Sequence, residues 1–300
     1  MLSARDLLIG EKYMLFQYEP KKVPAIIFIV LFGISSILHV FQLIKKRTWY
    51  FVPFVIGGIL EAIGYIGRLI SAGQEYGEWT TGPYIMQTLS ILLAPAFFAA
   101  SIYMILGRLI VLVDGESHSP IRVKWLTKIF VGGDVLSFLA QSAGGGMLGK
   151  AKKQSDVNLG ENIIIAGLAI QVLFFGLFVI VSAIFHFRIR AMPSMRSKQM
   201  PIPWESYLFI LYIASTLILV RSVFRIAEYV MGSDGVLLKH EYFLYIFDAT
   251  LMALVMILFN LRHPGSIINE DNMRMAHMRD PESGESAHEM TRETMRMHHK

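Results

Sequence analysis

The chain alternates long apolar runs with short polar stretches. The apolar runs are Pro24–Ile44, Tyr50–Ala72, Pro83–Val113, Trp125–Leu148, Asn162–Phe187, Ser206–Val230 and Tyr242–Leu261. Each reaches the roughly 20 residues that a helix needs to cross a bilayer. They are too long and too continuously apolar for the alternating strands of a membrane barrel, so they predict helices. The third run is unusually long. The fourth is the weakest, because Asp134, Gln141 and Gly144–Gly146 interrupt it. The expected fold class is all-α, a polytopic membrane protein with seven transmembrane helices. Its parts are an N-terminal segment over 1–23, a helical bundle over 24–262 and a tail over 263–300.

The loops are too short to hide a soluble catalytic domain. The first residues carry Asp6, Glu11 and Glu19 and lack the basic start and small-residue cleavage site of a signal peptide. The first span therefore acts as its own uncleaved anchor. From Asn269 to Lys300 the chain is rich in Met, His, Glu and Arg and poor in aliphatic residues, which predicts disorder.

Basic residues set the orientation. Odd loops carry Lys45, Lys46 and Arg47, then Arg122 and Lys124, then Arg188, Arg190, Arg196 and Lys198. The second loop has Glu75 and Glu78, and the sixth only Lys239. This places the N-terminus outside and the tail in the cytosol. Lys21–Lys22 and the fourth loop, with Lys150, Lys152 and Lys153, run against that pattern. Trp49, Trp79, Trp125 and Trp204 fall at span ends, as interfacial anchors do.

Composition agrees with the pattern. Charged residues make up 17% of the chain and hydrophobic ones 54%, against about 25% charged in ordinary soluble domains. The formal net charge of +5 is spread over loops rather than clustered on a soluble module, so it carries no nucleic-acid expectation. With no cysteine there are no disulfides and no thiolate metal ligands.

Several charges lie inside the spans: Glu61, Arg68, Asp134, Arg221, Arg225, Glu228 and Asp248, with His39 a weaker case. An ionised group at a helix centre costs about 2.5–3.5 kcal/mol on the insertion scale, so these groups must face inward, pair or touch water. Glu61 and Arg68 share one face, with Gly64 and Tyr65 between them. Arg221, Arg225 and Glu228 form one stripe. Asp134 and Gln141 form another seven-residue pair, and Asp248 lies about two turns into the last span. The simplest arrangement joins these faces around one interior cavity among spans two, four, six and seven. Two readings stay open: an ion network that fixes helix register, or a substrate or proton path.

Other features are plainer. Pro95 inside the third span should kink it by removing a backbone hydrogen bond. Gly144–Gly146 reads as a helix break or close-packing site, and Ala96 with Ala100 as a small-residue packing pair. His263-Pro264-Gly265 reads as a helix stop. There is no GxxxxGK[ST] phosphate loop, no HExxH and no nucleophile motif, so neither an enzyme nor a cofactor is expected. No inverted repeat is visible.

The polar positions also carry a resemblance. The pieces are Glu61-x-x-Gly64-Tyr65-x-x-Arg68, then Gln87 with Leu93-Ala94-Pro95 and Ala99-Ala100-x-x-Tyr103. Next come Phe130-x-x-x-Asp134, Gln141-x-x-Gly144-Gly145 and Gly167-x-x-x-Gln171. Last are Arg221-x-x-x-Arg225-x-x-Glu228-Tyr229, Glu241-x-x-x-Tyr245-x-x-Asp248 and His263-Pro264-Gly265. In this order the chain resembles the fungal lipid-translocating exporter family, the RTA-like or aminocholesterol-resistance membrane proteins, over about residues 18 to 265. The resemblance implies a seven-helix fungal protein of lipid transport and stress resistance. Its members are associated with resistance to toxic amphiphiles, release of sphingoid long-chain bases, phospholipid asymmetry and, in one case, protoporphyrin uptake. The chain departs at Tyr18-Glu19-Pro20-Lys21, where small polar residues often follow the proline in the family.

The expected function is export of an amphiphilic lipid, such as a sphingoid base, an aminosterol or a phospholipid, through an intramembrane polar cavity. The candidate substrate-binding or proton-coupling residues are Glu61, Tyr65, Arg68, Gln87, Tyr103, Asp134, Gln141, Arg221, Arg225, Glu228, Glu241, Tyr245 and Asp248. The alternatives are a seven-helix receptor of lipid or membrane stress, porphyrin or haem transport and a lipid-modifying enzyme. For a porphyrin, His39, His240 and His263 are the weak iron-contact candidates. The expected partners are membrane lipids and the lipid substrate, with the fifth loop or the tail available to a cytosolic protein. The expected location is the plasma membrane.

Overall fold

Pro24 lies in the first turn of helix α1, Lys22–Lys46, where a missing N–H costs no helical bond. The helix closes on Lys45 and Lys46, whose charge suits a helix C-terminus, and on Arg47 in the left-handed region at φ 50. A 3₁₀ turn over Trp49–Phe51 leads into α2, Val52–Ser71. Helix α3, Thr81–Leu112, runs without a break through Pro95. Helix α4 is Val123–Leu148 and α5 is Gln154–Ala191. A short helix, Met195–Gln199, precedes α6, Trp204–Val230. One turn at Val236–Lys239 leads to α7. Helix α7 is built from Glu241–Leu244, a π-helical turn at Tyr245–Ala249, and Thr250–Leu261. The His263-Pro264-Gly265 stop is a 3₁₀ turn in which the His263 side chain accepts from the Gly265 N–H. Near the N-terminus, Leu8–Ile9 pairs with Lys12–Tyr13 as antiparallel strands. The structure is a computed structural model and describes residues 8–9, 12–13, 16, 18–148, 153–199, 204–231 and 235–268. The tail expected to be disordered lies outside the described residues.

Among the described residues, six helical stretches are long and apolar enough to cross a membrane: α1, Trp49–Ser71, α3, Ser155–Ala191, α6 and Glu241–Ser266. The protein is therefore an all-α, multi-pass membrane protein. Helix α4, at 26 residues, is long enough to span but more polar than its neighbours. The fifth helix starts well before the expected Asn162. At 38 residues and 1.5 Å per residue it is about 57 Å long, nearly twice the roughly 30 Å hydrocarbon core.

Packing pairs α1 with α2, α2 with α3, α3 with α4, α4 with α5, α5 with α6 and α6 with α7. Helix α7 returns to α1, so the bundle closes on itself. The central helix is α3, whose apolar window is 67% buried; α1, at 28%, is peripheral. Helix α1 shows Ile27, Ile37, Phe41 and Ile44 to the surroundings.

Of the two readings of Gly144–Gly146, close packing holds for Gly144, where an added Cβ would stand 2.6 Å from the Gly160 carbonyl oxygen of α5, while Gly145 and Gly146 face open space; α4 runs unbroken to Leu148. One expectation changes. Trp204 is buried, with its Nε1 donating to the Ser197 carbonyl at 3.3 Å. Trp49 and Trp125 are exposed, as interfacial residues should be.

Candidate functional site

The stripe on α6 forms the floor of the site. Arg221 donates from Nε to Asp248 Oδ1 at 2.6 Å and from Nη2 to the Ile91 carbonyl at 2.8 Å. Ile91 is four residues before Pro95, so its carbonyl has lost the helical N–H that would normally bond it. The arginine thus satisfies an acceptor that the proline left free. Arg225 donates from Nη1 to Glu228 Oε2 at 2.7 Å, and its Nε lies 3.3 Å from Asp248 Oδ2. Asp248 is fully buried and sits in the π turn of α7. There the Thr250 hydroxyl donates to the Tyr245 carbonyl. A π turn changes the angular spacing of side chains along the helix, and such turns are frequent at functional sites.

Arg68 of α2 forms a second centre with the start of α7 and the segment before α1. It donates from Nε to the Tyr245 hydroxyl at 2.9 Å and from Nη2 to Glu241 Oε1 and the Tyr18 hydroxyl, both at 2.8 Å. The Tyr245 hydroxyl also donates to Glu241 Oε1. The Lys21 backbone N–H donates to both Glu241 oxygens, at 3.0 and 3.2 Å. Tyr65 is fully buried and stacks with Phe28, Phe32 and Tyr245.

The segment before α1 is therefore strapped across the bundle. Phe16 packs edge-on against Trp79 and Tyr84, each at 5.3 Å between ring centroids. Burial raises the Tyr18 phenol above the usual tyrosine value by more than the Arg68 guanidinium lowers it, so its hydroxyl stays neutral at ordinary pH. Beneath the strap is a cavity of about 80 Å³, lined among others by Tyr18, Tyr84, Gln87, Glu161, Arg225 and Glu228. At about 30 Å³ per water this volume holds two or three waters, or an ammonium group. It does not hold a whole lipid. Outside the bundle, α1 and α7 enclose an open apolar groove of about 660 Å³ from Ile26 to Leu261, where Asn260 bonds the Ser35 hydroxyl.

The polar faces do not join in one network. Asp134 of α4 accepts from the Tyr103 hydroxyl of α3 at 2.9 Å. Gln141 donates to Ser137 and to Gln171 of α5, and Ser137 donates to the Gly167 carbonyl. This α3–α4–α5 cluster is separate from the arginines. Of the α4 residues only Leu148 reaches the cavity. The cavity lies among α3, α5, α6, the start of α7 and the strap, rather than among spans two, four, six and seven, because α2 turns its arginine toward α7 and α4 turns its acid toward α3. All the charged candidates are nonetheless buried.

Glu61 differs from the other acids. It is fully buried, and among the described residues neither carboxylate oxygen has a hydrogen-bond partner. Its α2 neighbours are glycines packed tightly on other helices: Gly57 on Phe98, Gly58 on Ser36 and Met256, and Gly64 on Ile91. The three histidines do not converge. His39 Nε2 meets the Met256 carbonyl at 3.1 Å, and His263 Nδ1 accepts from Gly265. These two rings sit 6.4 Å apart, beside Phe51. His240 is exposed at the other end of α7. No cluster of three metal-ligating side chains exists among the described residues.

Tyr18, Tyr84 and Glu161 were not among the candidate residues read from the sequence, and Gln171 appeared there only as a motif position. The free Ile91 carbonyl was legible in principle from Pro95. The position of the strap had no sequence signal.

The chain matches the family described as RTA1 like protein over residues 54–271. It is 36% identical over 284 residues to Protoporphyrin uptake protein 1 of Saccharomyces cerevisiae, covering 83% of this chain and 91% of that protein. It is 34% identical over 277 residues to Protein RTA1 of the same organism, covering 84% and 85%. It is 30% identical over 274 residues to the Sphingoid long-chain base transporter RSB1, again of Saccharomyces cerevisiae, covering 79% and 70%. No solved structure matches it.

Proposed function

The chain belongs to the RTA1-like family of fungal membrane proteins, and on that premise we propose that it translocates amphiphilic lipids bearing a charged headgroup. The first substrate class is a sphingoid long-chain base or aminosterol. The observation that carries this reading is the buried Arg225–Glu228 pair at the edge of a small polar cavity beneath the strap. Intramembrane ionisable residues facing a cavity mark substrate paths more often than chance. An amine headgroup competes with Arg225 for Glu228, and a carboxylate competes with Glu228 for Arg225. The same pair therefore suits a sphingoid base and a porphyrin propionate, in keeping with the names of two relatives. The apolar tail lies between helices while the headgroup crosses. With no nucleotide motif, the driving force is a gradient or a partner.

We further propose seven spans, with α4 as the fourth. Its polar positions Asp134, Ser137 and Gln141 are buried, while Ile129, Val135, Leu136 and Leu139 face outward. The low hydropathy of α4 thus comes from its inward side. The basic odd loops then put the strap outside and the tail in the cytosol, with the plasma membrane as the location.

The test is efflux of labelled long-chain base from vesicles reconstituted with the full chain. Wild type should exceed empty vesicles, and Glu228→Gln should cut the rate at least tenfold. Wild-type flux equal to that of empty vesicles overturns the reading. Ligand-dependent recruitment of a cytosolic protein without flux would favour a receptor.

A further inference from the structure

The buried charges do not balance. Among the described residues, five buried acids, Glu61, Asp134, Glu228, Glu241 and Asp248, face three buried arginines, Arg68, Arg221 and Arg225. Glu241 is paired with Arg68, Asp248 with Arg221 and Arg225, and Glu228 with Arg225. Glu61 and Asp134 are left over. Asp134 has the Tyr103 hydroxyl as a donor. Glu61 has no donor at either oxygen. An unpaired carboxylate in such surroundings is far costlier than a neutral acid, so the group takes up a proton or a cation.

The groups around Glu61 explain why the arginines do not serve it. The charges within its electrostatic reach are Asp248 on α7 and Arg221 and Arg225 on α6. Both arginines already bond Asp248 or Glu228, and Arg221 also holds the Ile91 carbonyl. On its own helix, Tyr65 is one turn away, with a hydroxyl that is also buried and unpartnered. Against the adjoining glycines, α3 offers Phe98 and Ile91, and α1 with α7 offers Ser36 and Met256. None of these side chains is charged.

We propose that Glu61 is a proton-binding site, and that the proton it holds in this closed arrangement is exchanged for a cationic headgroup. A carboxyl that carries a proton cannot also pair with an ammonium. When the headgroup arrives, the O–H bond breaks, the ammonium pairs with the carboxylate and one proton leaves to water. Export of an amine is then coupled to proton entry. The coupling rests on the translocation reading above; the proton site itself does not.

Two measurements on the full chain in lipid vesicles test this. The first is infrared spectroscopy of wild type, Glu61→Gln and Asp134→Asn at neutral pH. Wild type should show a protonated-carboxyl band whose Glu61 component is absent in Glu61→Gln and retained in Asp134→Asn. The glutamine mimics the neutral acid, so this variant should melt within a few degrees of wild type. Identical carboxyl spectra for wild type and Glu61→Gln, both folded, overturn the proposal. So does a glutamine variant that no longer folds, since a neutral mimic would then fail to replace the native group. The second is proton release on adding an eighteen-carbon primary amine in weak buffer. About one proton per bound amine is expected for wild type and near none for Glu61→Gln; equal release by both overturns the exchange. A Glu61 band without amine flux leaves the proton site standing and removes the transport reading. Flux without the band does the reverse.

Discussion

Replacing Asp248 with Asn removes the one acid that both α6 arginines share. Asp248 is fully buried, 2.6 Å from Arg221 Nε and 3.3 Å from Arg225 Nε. Removing one partner of a buried ion pair typically costs about 3–5 kcal/mol, because the remaining charge is left uncompensated. Asparagine keeps an oxygen that can accept from Arg221, and Arg225 keeps Glu228, so the lower end, about 3 kcal/mol, is expected for Asp248→Asn. Arg221→Met should cost about 3–5 kcal/mol, because it leaves the buried Asp248 with only the longer Arg225 contact and orphans the Ile91 carbonyl that Pro95 left without an N–H. The double variant has neither the unpaired cation nor the unpaired anion. It should therefore be more stable than the sum of the two losses by about 1–3 kcal/mol. The assay is equilibrium unfolding of the four proteins in mixed micelles, followed by circular dichroism. The reasoning fails if Asp248→Asn lies within about 0.5 kcal/mol of wild type, the range of an inconsequential surface change. Strict additivity in the double variant would also refute it.

Two further outcomes follow from the packing. Gly144→Ala should destabilise the protein by about 1–3 kcal/mol, since the new Cβ meets backbone atoms of α5. Gly146→Ala faces open space and should be neutral or gain up to about 1 kcal/mol of helix stability; melting curves that rank the two the other way would sink the assigned α4–α5 contact. Tyr18→Phe removes the strap's bond to Arg68 and should open the cavity. The chain has no cysteine, so Gln87→Cys gives a clean probe. Its modification by a membrane-impermeant thiol reagent should accelerate several-fold when Tyr18→Phe is added, and an unchanged rate would mean that the strap does not cover Gln87.

Much of the helical framework can be read along the chain. The apolar runs became helices, because a 20-residue apolar stretch in lipid has few other ways to satisfy its backbone. The polar stripes on α2, α4 and α6 could be drawn from helical periodicity, and each turned out to be buried. Boundaries were less legible. Helix α5 begins before its apolar run, at Gln154, and α4 passes unbroken through three glycines that could be read as a break or as a packing site. In both cases neighbouring helices supply contacts that local propensity does not register.

The site was legible in its residue types but not in its pairings. Periodicity says that Arg221, Arg225 and Glu228 share a face; it does not say that Asp248 stands opposite, because that depends on which helix lies alongside and on the π turn that reorients α7. Arg68 and Glu61 share a stripe on α2, yet one is bonded on three sides and the other has no partner. That difference arises from Tyr18, Glu241 and Tyr245, which are far away in sequence. Asp134 looked equivalent to the other acids until α4 turned it toward Tyr103. The chain by itself determined that this is a helical membrane protein with charges it could not leave in lipid, since solvation of side chains and backbone is a property of composition and local order. Only the tertiary structure decided which of those charges neutralise each other and which acid stands alone, since pairing is set by distances between helices that sequence spacing does not contain.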